Sequence, residues 1–211
     1  MKNKIKLLFL IAVSFVFMSC VDYVQTITYK NGSYQLYYKI TLSKVLFELA
    51  DEDPEEMFEE YDEEALEDLP ENVYINRVNT DLEVGAEFSL SINPKTTDET
   101  EKALLPTVAG NKCYIPFLLG SDNNSMVDDF KSSDEDAEEI TKGILSSAKC
   151  RVMIDKSVIP GIEAAYFEGR DGQNYAVAIF DYGNSYCIEI PFIVLFETGM
   201  YRFDRIVVIK K

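Results

Sequence analysis

The sequence predicts an α+β fold: a mostly antiparallel β-sheet with one or two acidic helical insertions packed against it. Three observations lead there. Apolar and polar residues alternate with period two in the first and last thirds, turn dipeptides of Asn, Gly, Asp and Pro separate those runs, and two acidic stretches carry apolar residues at helical spacing. No period implies a repeat protein.

Val21 to Lys30 and Tyr34 to Ser43 read as two strands joined at Asn31-Gly32, a dipeptide suited to the positive φ angles of a type I′ turn. In the second strand Tyr34, Leu36, Tyr38, Ile40 and Leu42 share one face, and Gln35, Lys39, Thr41 and Ser43 mark the other, as in a half-buried antiparallel strand. The period then lengthens. Val45, Leu46, Leu49, Met57, Phe58, Tyr61, Ala65 and Leu66 suit one or two short helices with a break at Asp53-Pro54. Residues 51 to 71 carry 13 carboxylates and no basic residue, so the helical reading pins one apolar face and leaves the acids to water, either as a plain solvated face or as a cation or partner surface.

Val73 to Asn79 and Leu82 to Asn93 read as strands, with a bulge or bend at Gly85. Asn93 to Pro106 is polar and reads as a loop, followed by a strand around Lys112 to Leu119. The second acidic region, Asp122 to Glu139, holds helix candidates at Ser125 to Lys131 and from Ser133 to about Ser147, the latter capped by Ser133 with acids in its first turn. Arg151 to Ile154, Ile162 to Phe167, Tyr175 to Phe180, Tyr186 to Ile190 and Arg205 to Ile209 complete the strands, with turns at Pro160-Gly161, Asp171-Gly172 and Gly183-Asn184. Ile190 to Phe196 is too short to span a bilayer and reads as a core strand or buried turn.

Composition narrows the function classes. Hydrophobic residues make up 47% of the chain, enough for a real core. The 37 acidic residues against 20 basic ones give a net charge of −17, a field that repels nucleic acid and anionic headgroups. There is no histidine, which removes Ser-His-Asp and Cys-His nucleophilic systems and the HExxH metalloprotease pattern. GxSxG, GxxxxGK[ST] and GxGxxG are absent too. No pair of carboxylates stands out for glycoside hydrolysis. Asp51-Glu52-Asp53 and Asp122-Asn123-Asn124 with Asp128-Asp129 offer oxygen ligands without the spacing of a calcium loop, so no metal site, cofactor or catalytic residue is assigned. Cys113, Cys150 and Cys187 lie in apolar settings and read as small buried residues; one disulfide between some pair of them is the alternative. Tyr23, Tyr29, Tyr34, Tyr37 and Tyr38 crowd the first hairpin, either as ordinary strand composition or as rings at a membrane interface.

The N-terminus carries the most specific signal. Lys2, Lys4 and Lys6 precede a twelve-residue run, Leu7 to Met18, that is apolar but for Ser14, which is the size of a signal h-region and shorter than the ~20 residues of a spanning helix. Phe17-Met18-Ser19-Cys20 follows. This order resembles the lipobox of bacterial lipoproteins, although Phe17 and Met18 replace the Leu and small residue usual there. The resemblance implies that residues 1–19 are removed, that Cys20 carries a diacylglyceryl thioether, and that the new α-amine is a further acylation site. Residues 20–211 are then one exported domain, whose formal charge becomes −20 because Lys2, Lys4 and Lys6 leave with the signal. Two or three acyl chains hold a protein stably on a membrane, where a single chain does not. The order of Cys20, a glycine-turn hairpin and Thr41-Leu42-Ser43-Lys44 leading into a helix is similar to that of LppM-like envelope lipoproteins over residues 20 to 50, which implies an envelope-facing domain handling lipid or a protein partner and transfers no site.

The expectation is therefore a non-catalytic protein of the cell envelope, extracytoplasmic and anchored to the cell membrane or outer membrane by lipid on Cys20, binding an envelope protein or an amphipathic ligand. A carboxylate- or cation-dependent hydrolase and a surface adhesion module are the alternatives.

Overall fold

A computed structural model describes residues 21–50, 53, 72–117, 148–168, 174–192 and 205–211. Twelve strands occur among them: β1 (Val21–Lys30), β2 (Ser33–Ser43), β3 (Tyr74–Asn79), β4 (Glu83–Ile92), β5 (Thr107–Ala109), β6 (Lys112–Pro116), β7 (Lys149–Asp155), β8 (Ile162–Glu168), β9 (Asn174–Ala176), β10 (Ala178–Asp181), β11 (Ser185–Pro191) and β12 (Arg205–Lys210). Two short helices accompany them, α1 (Lys44–Ala50) and α2 (Glu99–Ala103). The described chain is thus β-rich. The acidic helical insertions expected at 51–71 and within 122–147 lie outside the described residues, apart from Asp53.

The strands form a seven-stranded sheet, ordered β10-β11-β7-β1-β2-β4-β3, and a five-stranded sheet, ordered β5-β6-β12-β8-β9. Neighbours run antiparallel except at the middle of the larger sheet, where β1 and β7 are parallel from Asp22↔Lys149 to Ile27↔Ile154. The β1–β2 hairpin runs without a break from Val21↔Leu42 to Lys30↔Ser33. It closes on Asn31 at φ 55° and Gly32 at φ 83°, the turn that the dipeptide predicts.

Alternation decides what each strand buries. Tyr23, Gln25 and Ile27 of β1, Leu36 and Tyr38 of β2, Leu90 and Ile92 of β4, Cys150, Val152 and Ile154 of β7, and Ile188 and Ile190 of β11 face inward. All of them but Gln25 share one hydrophobic cluster with Cys113, Ile115, Phe117, Ala165, Phe167, Ile206 and Val208 of the smaller sheet and its margin, so the two sheets pack face to face. Edge-on contact of Tyr23 with Phe117, ring centroids 5.1 Å apart, joins the layers. A polar tie lies beside it: the Tyr23 hydroxyl donates to Gln25 Oε1 at 3.1 Å, and Gln25 Nε2 donates to the Pro116 carbonyl at 2.7 Å. Every polar atom of that tie is engaged, which is what makes a buried glutamine tolerable.

Four local expectations change. The strand predicted over Tyr175 to Phe180 is two strands: β9 pairs with β8, Val177 interrupts, and β10 pairs with β11, so the chain crosses from one sheet to the other at a single residue. The polar 93–106 segment contains α2, which has no buried residue; Asp98 Oδ1 accepts from Glu101 N at 3.0 Å and caps it, so the helix forms without the apolar period that would have announced it. Gly85 is neither a bulge nor a bend, because β4 keeps continuous register with β2 through Thr41↔Gly85. It marks a close approach: a Cβ there would overlap the Ile40 carbonyl oxygen and lie 2.7 Å from Thr41 Cα. Finally, the strand after Asn111 ends at Pro116.

Candidate functional site

The outward face of the larger sheet divides into a charged half and a hydroxyl-lined half. Near the start of β1, Arg151 donates to Asp22 Oδ1 at 2.9 Å and has Nε 3.7 Å from Glu189 Oε1, while Lys149 Nζ reaches Glu189 Oε2 at 2.8 Å. These residues belong to β1, β7 and β11, and register sets them in two adjacent rows, Asp22 opposite Lys149 and Arg151 opposite Glu189. On the other side Glu83 accepts from Lys39 Nζ at 2.9 Å and from Thr41 Oγ1 at 2.9 Å. The lysine and the hydroxyl hold its carboxyl below the usual carboxylate range.

Further along the strands the side chains shorten and lose charge. Thr26 and Thr28 of β1, Gln35 and Tyr37 of β2, Ser89 and Ser91 of β4, Tyr74 of β3 and the preceding Asn72 line a shallow concavity of about 370 Å³. Gln35 Nε2 donates to Ser91 Oγ at 2.7 Å, and Asn72 Nδ2 donates to the Ser91 carbonyl and to Glu101 Oε1 at 3.1 and 3.0 Å. Tyr74, 69% exposed, stands on the rim. The Tyr37 hydroxyl pairs with Glu87 of β4, and partial burial beside that carboxylate pushes its pKa up to about 12. Fixed amide and hydroxyl dipoles, one protonated phenol and one exposed ring make a surface suited to hydrogen-bonding an uncharged polar ligand or a polar protein segment. No single motif spells this groove, since its residues come from four strands.

The predicted residues distribute as follows. Cys20 lies outside the described residues, and its neighbour Val21 is the first residue of β1. Cys113, Cys150 and Cys187 are free and buried, as the apolar contexts imply. Burial raises all three thiol pKa values, that of Cys113 to about 11, so none is poised as a nucleophile. Of the calcium candidates only Asp53 falls among the described residues, and no group of three His, Cys, Asp or Glu side chains gathers there. The hairpin tyrosines do not form one patch. Tyr23 and Tyr38 are core residues, Tyr37 faces the groove, and Tyr29 and Tyr34 pack edge-on at the turn end, centroids 5.0 Å apart. That end lies about 26 Å along β1 from Val21, at ~3.3 Å per residue, so these two rings do not cluster at the start of β1. Among the described residues no helix is long and apolar enough to cross a membrane. Comparison with protein-family models, curated proteins and solved structures returned no match.

Proposed function

We propose that this chain is a lipid-anchored, non-catalytic protein of the cell envelope, held by acyl chains on Cys20, which uses the hydroxyl-lined groove of its larger sheet to bind a polar segment of an envelope partner. The anchor rests on the ordered signal of Lys2, Lys4 and Lys6, the apolar run and Ser19-Cys20. The binding surface rests on one observation: eight polar or aromatic side chains from β1, β2, β3, β4 and Asn72 converge on a single concavity. Leu36 and Leu90 also border it, but the amide and hydroxyl side chains of Thr26, Thr28, Gln35, Asn72, Ser89 and Ser91 favour this partner over the apolar part of an amphipathic ligand. Helices at 51–71 and 122–147, which would make the whole an α+β protein, belong to the same proposal.

Two measurements test it. Growth on an alkyne-bearing fatty acid should label the wild-type chain, and Cys20→Ala should abolish both the label and processing; a labelled or fully processed Cys20→Ala chain sinks the anchor. A photo-crosslinking residue in place of Tyr74 should give a protein adduct of constant mass in intact cells, while the same residue at Val108, exposed on the smaller sheet, should not. Equal adducts from both positions, or none from Tyr74, would remove the groove from the reading.

A further inference from the structure

If Cys20 carries the lipid, the structure also says how the domain stands on the membrane. We infer that it is held without a tether, with the end of the sandwich where β1 begins seated on the headgroup layer of the leaflet that contains the acyl chains. This inference rests on the lipid-anchor reading proposed above.

Consecutive Cα atoms are 3.8 Å apart, and Val21, the residue after Cys20, is already locked into the middle of the larger sheet. It pairs with Leu42 of β2, and the next residue, Asp22, pairs with both Thr41 of β2 and Lys149 of β7. No flexible segment separates the acylated residue from two neighbouring strands, so the end of the sheet that contains Val21 cannot leave the surface while the acyl chains stay inserted. The same end carries the close of β2, the start of β7, the start of β4 and the close of β11.

Its described surface fits that place. Leu82, 77% exposed, sits on the turn before β4. Thr80 Oγ1 accepts from Leu82 N at 3.2 Å, and the Leu82 carbonyl accepts from Lys44 N at 2.9 Å, so an apolar side chain is fixed beside a lysine at this end. Lys149, the first residue of β7, is exposed. The charged side chains described at this end are largely paired with one another, Lys149 and Arg151 with Glu189, Arg151 with Asp22 and Lys39 with Glu83, so an exposed leucine among compensated charges meets a headgroup layer at little cost. The groove then has a set height. Thr26 and Thr28 lie five and seven residues from Val21, about 17 to 23 Å above the headgroups at ~3.3 Å per residue, facing along the membrane plane.

Depth-dependent quenching tests this on the full acylated chain in phosphatidylcholine vesicles containing a lipid with a nitroxide on its headgroup. Because Cys113, Cys150 and Cys187 are buried and Cys20 is acylated, single thiols introduced by Leu82→Cys or by Lys30→Cys at the far end of β1 accept a fluorophore selectively. The Leu82→Cys label should lose most of its emission and the Lys30→Cys label should keep its own. A flexible Gly-Ser insert of about 8 residues between Cys20 and Val21, spanning roughly 16 Å, should erase that difference. Equal quenching at both sites in an acylated chain without the insert overturns the tetherless orientation and leaves the anchor reading intact. Failure of the chain to take up the fatty-acid label defeats the anchor reading itself, and the orientation with it.

Discussion

Tyr37 and Tyr38 are adjacent in β2 and occupy opposite worlds. Tyr38 is 1% exposed in the core, opposite Gln25, with no hydrogen-bond partner for its hydroxyl, whereas Tyr37 looks outward and pairs with Glu87 beside the groove. The same contrast holds across the seven-stranded sheet. Its inner face is Ile, Leu, Val and Tyr packed against the second sheet, and its outer face is a lattice of charged and hydroxyl groups that bond one another across strands. Stability therefore resides on one face, and the proposed binding surface lies on the other. The inner face should tolerate little change, and the outer face should accept changes that alter binding before folding.

The largest effect tests that division directly. Ile154 is fully buried on the inner face, and Ile154→Ala should cost about 3 kcal/mol through lost burial and the cavity left behind. Val24 faces outward in register with Lys39 and Arg151, and Val24→Ala should cost less than about 1 kcal/mol. Urea midpoints would show the gap, and equal losses would mean that the outer face is itself a core.

Gly85 is the point where the outer face stops being permissive. Its Cβ position is occupied by β2 backbone, which cannot yield as a side-chain tip would, so Gly85→Ala should destabilise by about 2 kcal/mol or more although it adds one methyl group on the outer side. Thermal melts of Gly85→Ala beside Ser89→Ala, also on β4, should separate close approach from general sensitivity of that strand; a melt of Gly85→Ala like that of the wild type would remove the constraint.

Gln25 and Tyr38 face each other across β1 and β2, and their substitutions should act with opposite sign. Gln25→Ala removes the hydrogen bonds that Gln25 makes with the Tyr23 hydroxyl and the Pro116 carbonyl and should cost about 2 kcal/mol. Tyr38→Phe removes a buried hydroxyl that bonds to nothing and should raise stability by about 1 kcal/mol. A loss in Tyr38→Phe would show that the hydroxyl has a bound water as its partner.

Where the sequence is legible, the cause is local. Strand positions follow from alternation, and the first hairpin follows from a dipeptide that fits positive φ. Cys20 is singled out by a contiguous pattern, and its role stays with the proposal above. What escaped reading is non-local. Nothing in Tyr23 to Ile27 says that β1 will lie parallel to β7, more than a hundred residues away, and Gln25 looks like a flaw in an apolar row until Pro116 is seen beside it. Val177 interrupts a run that reads as one strand, because which sheet each half joins depends on β8 and β11. The groove is of the same kind: threonine, serine and glutamine on an outer face are unremarkable one strand at a time.

The smallest effect concerns pH and belongs to the outer face. Tyr37 has a pKa raised from the ordinary 10.0 to about 12 by burial and by Glu87. A raised pKa favours the protonated form in the folded chain, so its contribution to stability is complete below pH 10. Between pH 10 and about 12 the unfolded chain ionises first, and the contribution is lost as pH rises. Tyr37→Phe cannot ionise. Urea midpoints of wild type and Tyr37→Phe should therefore keep a constant separation from pH 8 to 10 and then shift in favour of the variant above 10. Because Glu87 also bonds Asn76 at 3.3 Å, Asn76→Ala should leave this alkaline shift in place, which assigns it to the phenol rather than to the carboxylate's other contact. A separation that does not change above pH 10 would show that the folded chain ionises Tyr37 as easily as the unfolded one, and that neither burial nor Glu87 holds the phenol protonated beside the groove.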